Sequence, residues 1–469
     1  MGLPEYDLAI IGAGAAGLIA ADFSVQLGAR TLLLEKGLIG GDCTWTGCVP
    51  SKSLIKVATV THHARTASRF GVQVSAPVVN MTQVREYLRA TIQHIYEPTM
   101  PDALRKKGIE VLQGATRFLD PHTLEAGTQK IRAKKILINT GAEPKIPNLP
   151  GLNEVPYFTY QKIFDNDQLP QRMLVLGSGP IGCEIAQAYQ RLGAQVIVIG
   201  ERLLPAEDPE VSELMGRVFA QEGIRRLAAK AESVSKNGAE ITVHTNAGDA
   251  TGELLFVATG RAPLVHNLGL EAAKVRYSER GIDVNEHLQT STKHIYAAGD
   301  VIGGPQYSHL AGWQGFQAVR NALLPGNNAG MADALPRITF TSPEVAQVGM
   351  TEAEARKTYR DDLQMMTFDI GKVDRAVNED DKLGMMKIIA RKNGSILGAT
   401  IVGERAGEAI TEITIAMHNH LKLSDVAATI HPYPTYSSGV QMLATKMAFE
   451  TAFAGTSGKM IRKLSALWR

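Results

Sequence analysis

Cys43 and Cys48 stand four residues apart in Gly40-Gly41-Asp42-Cys43-Thr44-Trp45-Thr46-Gly47-Cys48-Val49-Pro50-Ser51-Lys52, and they are the side chains best suited to chemistry. The spacing is not a C-x-x-C zinc half-site. No second cysteine or histidine pair exists to complete four ligands, so no metal site is expected. Four intervening residues that include Gly47 allow a distorted first helical turn in which the two sulfurs meet. Pro50 opens a predicted helix over 51–60, and a thiol beside a helix start has a lowered pKa and more thiolate character. The alternative is two unrelated buried cysteines. The remaining cysteine, Cys183, falls in a predicted helix and reads as a small buried residue. With only 3 cysteines in 469 residues, a reducing, cytoplasmic setting is expected, in which a close pair is catalytic rather than a staple.

Elements that position such a pair are legible around it. Residues 7–11 form a short buried strand, and Gly12-Ala13-Gly14-Ala15-Ala16-Gly17 turns into a helix that stops near Gly28. The next strand, 31–34, ends on Glu35. In such a G-x-G-x-x-G turn the first glycine permits the turn, the second admits a pyrophosphate, and the third lets helix pack on strand. The phosphates then meet free N–H groups at the helix N-terminus. Glu35 suits the two hydroxyls of an adenosine ribose without a 2′-phosphate. The plan recurs: strand 173–176, the turn Gly177-Ser178-Gly179-Pro180-Ile181-Gly182, helix 183–192 and strand 196–199. Two dinucleotide sites follow, or one site and a degenerate copy. Where an NAD site places its acid the second unit has Gly200, then Glu201 and Arg202. Loss of the acid with an arginine nearby favours NADPH, and Glu201 argues for NADH.

Apolar strands at 136–141 and 254–260 extend the two units, and Pro144, Pro147, Pro150 and Gly151 mark a boundary. Beyond Pro336 the pattern changes to alternating segments at 386–389 and 396–402, with helices near 408–419 and 438–449, the mark of an α+β domain. Composition is globular, 44% apolar and 20% charged, and the net charge of +2 implies neither a nucleic-acid nor a membrane partner. The apolar run 8–21 is too short and too glycine-rich to span a bilayer or serve as a signal peptide. His62-His63 reads as solvated, and Met442 and Met447 as core.

Taken together these residues resemble the class I pyridine nucleotide–disulfide oxidoreductases, over nearly the whole chain. The resemblance implies an α/β fold of two Rossmann-like dinucleotide-binding domains, for FAD and NAD(P), plus a C-terminal α+β dimerisation domain. The expected boundaries are 1–150 for the first part of the FAD domain, 151–275 for NAD(P)H, 276–335 for the FAD-domain return, and 336–469 for dimerisation. It implies a redox-active Cys43–Cys48 disulfide, with Cys48 next to the flavin and Cys43 meeting the acceptor. Lys52 would pair with Glu184 beside the flavin, and Asp300, in Thr290-Ser291-Thr292-Lys293-His294-Ile295-Tyr296-Ala297-Ala298-Gly299-Asp300, would bind its ribityl chain. Cofactor contacts extend by the same resemblance to Lys36, Gly41, Asp42, Thr140, Gly141 and Gly260. FAD and NADPH, with NADH as the alternative, are the implied cofactors, and a homodimer the implied assembly.

One stretch departs from that family. Its disulfide reductases carry His-Pro-Thr near the C-terminus, followed by a glutamate; the histidine shuttles a proton and the glutamate orients it. Here Ile430-His431-Pro432-Tyr433-Pro434-Thr435-Tyr436-Ser437-Ser438 puts Tyr433 in the histidine's place and Ser438 in the glutamate's, with His431 two residues upstream. Tyrosine there is similar to mercuric reductase, yet the cysteine pair that ends mercuric reductase is missing. The expected acceptor is a soft metal ion held as a thiolate complex. The other readings are a dihydrolipoamide dehydrogenase-type enzyme using His431, a quinone diaphorase, and a redox-sensing flavoprotein. Trp45 replaces an asparagine usual in that family and either alters acceptor access or packs.

Overall fold

Strand β1, Glu5–Ile11, buries Leu8, Ala9, Ile10 and Ile11, which alternate between its two faces. A strand covered on both sides belongs in a parallel sheet, and in the computed structural model β1 is the hub of one. The structure describes residues 3–453 and 455–469 and divides into two units. The first is Met1–Gly177 with Ala188–Ile199 and Ala229–Ala332; the second is Ser178–Gln187 with Gly200–Ala228 and Asp333–Arg469.

In the first unit β1 leads into α1, Ala15–Gln26, and then β2, Thr31–Glu35. Two helices carry the cysteines, α2, Gly41–Trp45, and α3, Cys48–Thr66. Strands β3 (Glu110–Gln113), β4 (Thr116–Phe118), β5 (Thr123–Ala126) and β6 (Gln129–Ile138) complete the main sheet. Next come β7 (Ala142–Pro144), β8 (Arg172–Leu176), helix α4 (Pro180–Leu192), of which residues 180–187 belong to the second unit, and β9 (Gln195–Ile199). They are followed by β10 (Leu254–Val257), β11 (Arg261–Pro263), β12 (Ile295–Ala297) and α5 (Ser308–Leu323). The sheet order is β3-β2-β1-β6-β5-β4, with β12 also on β6. Strands β3, β2, β1, β6 and β12 run parallel to their neighbours, and β4 and β5 are antiparallel additions. A second parallel sheet places β8 between β9 and β10.

Glycines set the spacing of the helices. A Cβ on Gly17 would lie 2.0 Å from the Gly12 carbonyl oxygen, so α1 sits as close to the turn as a backbone can. A Cβ on Gly315 would lie 2.3 Å from the Ala16 carbonyl oxygen, and one on Gly312 would lie 2.6 Å from Ile19 Cδ1. Alpha-helix α5 therefore lies directly on α1, and its N-terminus is fixed relative to the glycine turn. Adding a methyl at Gly315 would overpack this contact at a cost of about 1–3 kcal/mol.

Several boundaries differ from the sequence reading for physical reasons. The strand expected to 141 stops at Ile138, where Asn139 Nδ2 donates to Gly12 O at 2.8 Å and Thr140 Oγ1 to Leu264 O at 2.7 Å. Helix α4 begins at Pro180 rather than 183, since proline in a first turn loses no helical hydrogen bond. The helix expected over 51–60 runs from Cys48 to Thr66, so Cys48 opens it.

The second unit is built on an antiparallel sheet. Strands β13 (Arg337–Thr339), β14 (Glu344–Gly349), β15 (Gln364–Asp369), β16 (Met385–Ala390) and β17 (Ile396–Gly403) take the order β13-β14-β17-β16-β15. Helices α6 (Ala406–His418) and α7 (Tyr436–Phe453) bury Ile410, Ile413, Val440, Leu443 and Met447 in its core. Met442, expected in the core beside Met447, is exposed instead. Helix α8, Gly455–Leu467, follows. Lys387 on β16 is buried, and its ammonium is paired with Asp208 at 2.6 Å, with Glu352 at 3.1 Å and with Glu210. No described helix is long and apolar enough to cross a membrane.

Candidate active site

The two cysteines lie on separate helices rather than in one distorted turn. Gly40 takes φ +111° to start α2, and α3 begins two residues after α2 ends at Trp45. A Cβ on Gly47 would lie 2.8 Å from the Asp42 carbonyl oxygen and 3.4 Å from Cys43 Cα. Glycine at 47 thus lets α2 fold back on the start of α3. The sulfurs are not joined as a disulfide, and Cys43 makes a side-chain hydrogen bond with Cys48. That hydrogen bond, then burial, then the neighbouring thiolate charge push the Cys43 thiol well above its ordinary value. Cys48 sits at the first position of a 19-residue helix, whose N-terminal N–H groups favour an anion. The arrangement is a hydrogen-bonded pair of free sulfurs, with Cys48 at the helix start.

Ser308 was not foreseen. Its hydroxyl lies 3.2 Å from Cys48 Sγ, and it also bonds Cys43, where it lowers the thiol pKa. It is the first residue of α5, the helix that Gly312 and Gly315 seat on α1. Trp45 packs: Nε1 donates to Ile39 O at 2.8 Å and its ring meets Tyr96 at a centroid separation of 5.0 Å.

Around the first glycine turn, Gly14 caps α1 without a side-chain hydrogen bond, and the first turn holds no acid, so its N–H groups stay open. The nearest atom to a Cβ on Gly14 would be Gly41 Cα at 4.0 Å, and one on Gly41 would come within 2.9 Å of Gly14 Cα. Glu35 is held at the end of β2 by Ala13 N to Oε2 and Gly37 N to Oε1, both 2.7 Å, with Lys36 between. Asn139 Oδ1 is buried with no partner. Gly141 and Gly260 flank the β7–β11 pairing, in which Arg261 stands opposite Pro144. That register delivers a second unforeseen residue. Arg261 bonds Asp42 Oδ2 at 2.9 Å and Asp300 Oδ2 at 2.6 Å, and Tyr160 donates to the same Asp42 oxygen at 2.9 Å. Burial raises the Asp300 pKa, against the pull of Arg261. Burial also works against the Arg261 charge, yet Asp300, Tyr160 and Asp42 together hold its pKa above the ordinary value.

At the second turn a Cβ on Gly177 would lie 2.3 Å from the Ala258 carbonyl oxygen, while Gly179 has nothing within 4 Å. Gly182 lies in the first turn of α4, followed by buried Cys183, whose thiol burial pushes up to about 12. Gly200 cannot bear a side chain, since its Cβ would fall 2.3 Å from Ser178 Oγ, which itself donates to Arg202 O at 2.8 Å. The Arg202 guanidinium does not point outward. It donates to Glu207 O at 3.1 Å and to Pro205 O. Arg226 Nη2 donates to Glu201 O at 2.8 Å, which puts a second guanidinium on this loop.

In the second unit Glu184 Oε1 accepts from Phe340 N at 2.8 Å, and Lys52 belongs to α3 of the first unit. Tyr433 is 74% exposed, and its hydroxyl donates to Asp374 Oδ2 at 2.5 Å, a bond that raises its pKa. His431 is placed otherwise. Its side chain is only 5% exposed, with Nδ1 against Thr429 O at 2.8 Å and Nε2 against Glu412 Oε1 at 2.5 Å. Both ring nitrogens are therefore occupied by acceptors. Ser438 Oγ donates to Thr435 O at 2.6 Å and orients no histidine.

The model of the pyridine nucleotide-disulphide oxidoreductases matches residues 6–315, and the model of their dimerisation domain matches 335–444. The chain is a pyridine nucleotide-disulphide oxidoreductase. It is 35% identical to a mercuric reductase of Bacillus cereus over 93% of this chain and 71% of that one. It is 33% identical to a dihydrolipoyl dehydrogenase of Thermus scotoductus over 94% of this chain and 97% of the other. Among solved structures it resembles the Cu(II) complex of the HOCl-induced flavoprotein disulfide reductase RclA from Escherichia coli. That likeness has a TM-score of 0.84 and 26% identity, and covers 93% of this chain and 99% of RclA.

The oxidoreductase is an FAD enzyme that draws on a pyridine nucleotide, and its residues fit the flavin nucleotide. The open N–H groups of α1, the bare Gly14–Gly41 cleft and the unpartnered Asn139 Oδ1 suit a pyrophosphate and its neighbours, while Glu35 ends the adjacent strand. The one sequence signal for Arg261 was a basic residue directly after the apolar run expected to end at Gly260, a run whose strand stops at Val257. For Ser308 it was a helix-starting residue type ahead of an apolar helical run.

Proposed function

We propose that this oxidoreductase takes electrons from NADPH through FAD to a Cys43–Cys48 disulfide, and passes them to a soft metal ion presented as a thiolate complex. Bound FAD supplies the two-electron relay between nicotinamide and disulfide. Cys43 would meet the acceptor and Cys48 would lie on the flavin side; returning to the disulfide, the pair gives two electrons to the metal ion and its sulfur-bound protons to the medium. Lys52 and Glu184 act as a pair beside the flavin. Asp300 holds its ribityl chain, with Arg261 positioning Asp300 and Asp42. Lys36, Thr140, Gly141 and Gly260 line the nucleotide sites, and the enzyme works as a homodimer in which Tyr433 completes the partner subunit's site.

The observation that carries the acceptor is the state of His431. A disulfide substrate needs a proton donor for its departing thiol, and the ring best placed in sequence to give one is buried with both nitrogens engaged. Tyr433 is the exposed group, and a metal–thiolate acceptor requires no such donor. NADPH is favoured over NADH because no acid can occupy position 200 beside Ser178, and because Arg226 brings a cation to the loop that Arg202 does not face.

The test is NADPH oxidation with mercuric ion in excess small thiol, run on the native enzyme and on Cys43→Ala. Sustained turnover that the variant loses is expected. No turnover above the metal-less background sinks the metal reading and leaves disulfides and quinones as acceptors.

A further inference from the structure

Helix α8 presents an apolar face that its own subunit does not cover. Gly458 lies where a Cβ would meet the Phe453 carbonyl oxygen at 2.0 Å, so the helix starts tightly against the end of α7. From Lys459 to Arg469 every residue is exposed, Leu467 at 81% and Trp468 at 91%. At about 100° per residue, Met460, Ile461, Leu464 and Leu467 fall within an arc of about 120°, and Trp468 follows just past the helix end. Lys459, Arg462 and Lys463 lie on the rest of the helix, Arg469 follows it, and 455–469 contains no acid. Among the described residues none of these cations has a carboxylate partner.

We propose that α8 docks the enzyme onto an anionic lipid bilayer, lying in the interfacial plane with its apolar arc among the acyl chains. Charge complementarity selects this occupant. A helix of basic and apolar faces with a tryptophan at the boundary matches an anionic surface on both counts. A second copy of the same helix would instead set like cations against one another. The expectation of no membrane partner rested on a net charge of +2 averaged over the chain, an average that hides this local face. The proposal concerns attachment only and does not depend on which acceptor the cysteines serve.

The experiment is co-sedimentation of the FAD-loaded full chain with vesicles, scored by flavin absorbance. Vesicles of equal parts phosphatidylglycerol and phosphatidylcholine should bind at least about tenfold more tightly than phosphatidylcholine alone, and salt should weaken that binding. Leu464→Glu and Arg462→Gln/Lys463→Gln should each reduce it about tenfold or more while NADPH oxidation is unchanged. Equal binding to neutral vesicles, or none to anionic ones, overturns the proposal. So does a change of oligomeric mass in Leu464→Glu with no vesicle binding by the native chain, which would assign the face to another copy.

Discussion

Removing the Ser308 hydroxyl should raise the pKa of the Cys48 thiol by about one unit. The hydroxyl lies 3.2 Å from Cys48 Sγ. A hydrogen bond to a charged acceptor contributes about 1.5–3 kcal/mol, and one pKa unit corresponds to about 1.36 kcal/mol. The lower end applies, because both residues are half-buried and water can replace part of the bond. The sign follows from what is stabilised: the hydroxyl donates to the thiolate, so its loss disfavours the charged form and moves the pKa up. The assay is alkylation of Cys48 by iodoacetamide as a function of pH, read site by site by mass spectrometry. A Cys43→Ser background removes the coupled partner, and Cys183 stays silent because burial holds its thiol at about 12. The midpoint should rise in Ser308→Ala and return in Ser308→Thr, which keeps the hydroxyl. A shift below about 0.3 unit, roughly 0.4 kcal/mol, or no rescue by threonine, refutes Ser308 as a positioning residue for the thiolate.

Lys387→Met should cost about 3–5 kcal/mol in urea unfolding, since it strands Asp208, 4% exposed, without its counter-ion. Burial pulls the Glu352 pKa upward, but hydrogen bonds from Arg356 and Lys387 outweigh it and hold the group below its ordinary 4.5. Its contribution to stability is therefore present at neutral pH and lost as pH falls from about 4.5 through the folded value, so Glu352→Gln should flatten the acid limb of the urea midpoint. Gly200→Ala should cost about 1–3 kcal/mol of stability through overpacking against Ser178, read as a lower thermal midpoint, and Ser178→Gly should restore it in the double variant. His431→Asn should leave turnover with the metal acceptor within about twofold, under 0.5 kcal/mol of transition-state stabilisation; a loss of a hundredfold would return His431 to the chemistry.

The nucleotide-binding turns were legible because their signals are local. In the first turn strand, glycines, helix and acid follow one another within about thirty positions, and Gly12, Gly17 and Gly177 stand where a Cβ would strike a backbone carbonyl oxygen. The residues that sequence reading missed are those whose roles depend on long-range register. Ser308 meets Cys48 across 260 positions, and only the packing of α5 on α1 at Gly312 and Gly315 brings it there. Arg261 reaches Asp42 and Asp300 because β11 pairs antiparallel with β7, a contact between strands of three residues each with no periodicity to announce it. The separate helices of Cys43 and Cys48 were hidden for a different reason. Four intervening residues with one glycine fit a distorted turn or two abutting helices equally well, and the choice is made by Gly40 and by the Asp42 carbonyl under Gly47.

Arg202 and His431 share a lesson about residue type and residue availability. An arginine near a ribose site and a histidine near a disulfide site each suggest a ligand, but each carries several donors that a folding chain also needs. Arg202 spends its guanidinium on the carbonyls of Pro205 and Glu207, and His431 lodges between Thr429 and Glu412. Each hydrogen bond of this kind to a backbone carbonyl contributes about 1 kcal/mol, which is reason enough for the chain to use these side chains locally. What stands out beside them is an exposed Tyr433 bonded to Asp374, an Arg226 guanidinium on the Glu201 carbonyl, and a thiol pair beside Ser308. On the proposed reading, a chain whose sequence-expected histidine is engaged by Thr429 and Glu412 is better matched to an acceptor that binds thiolates than to one that must be protonated to leave.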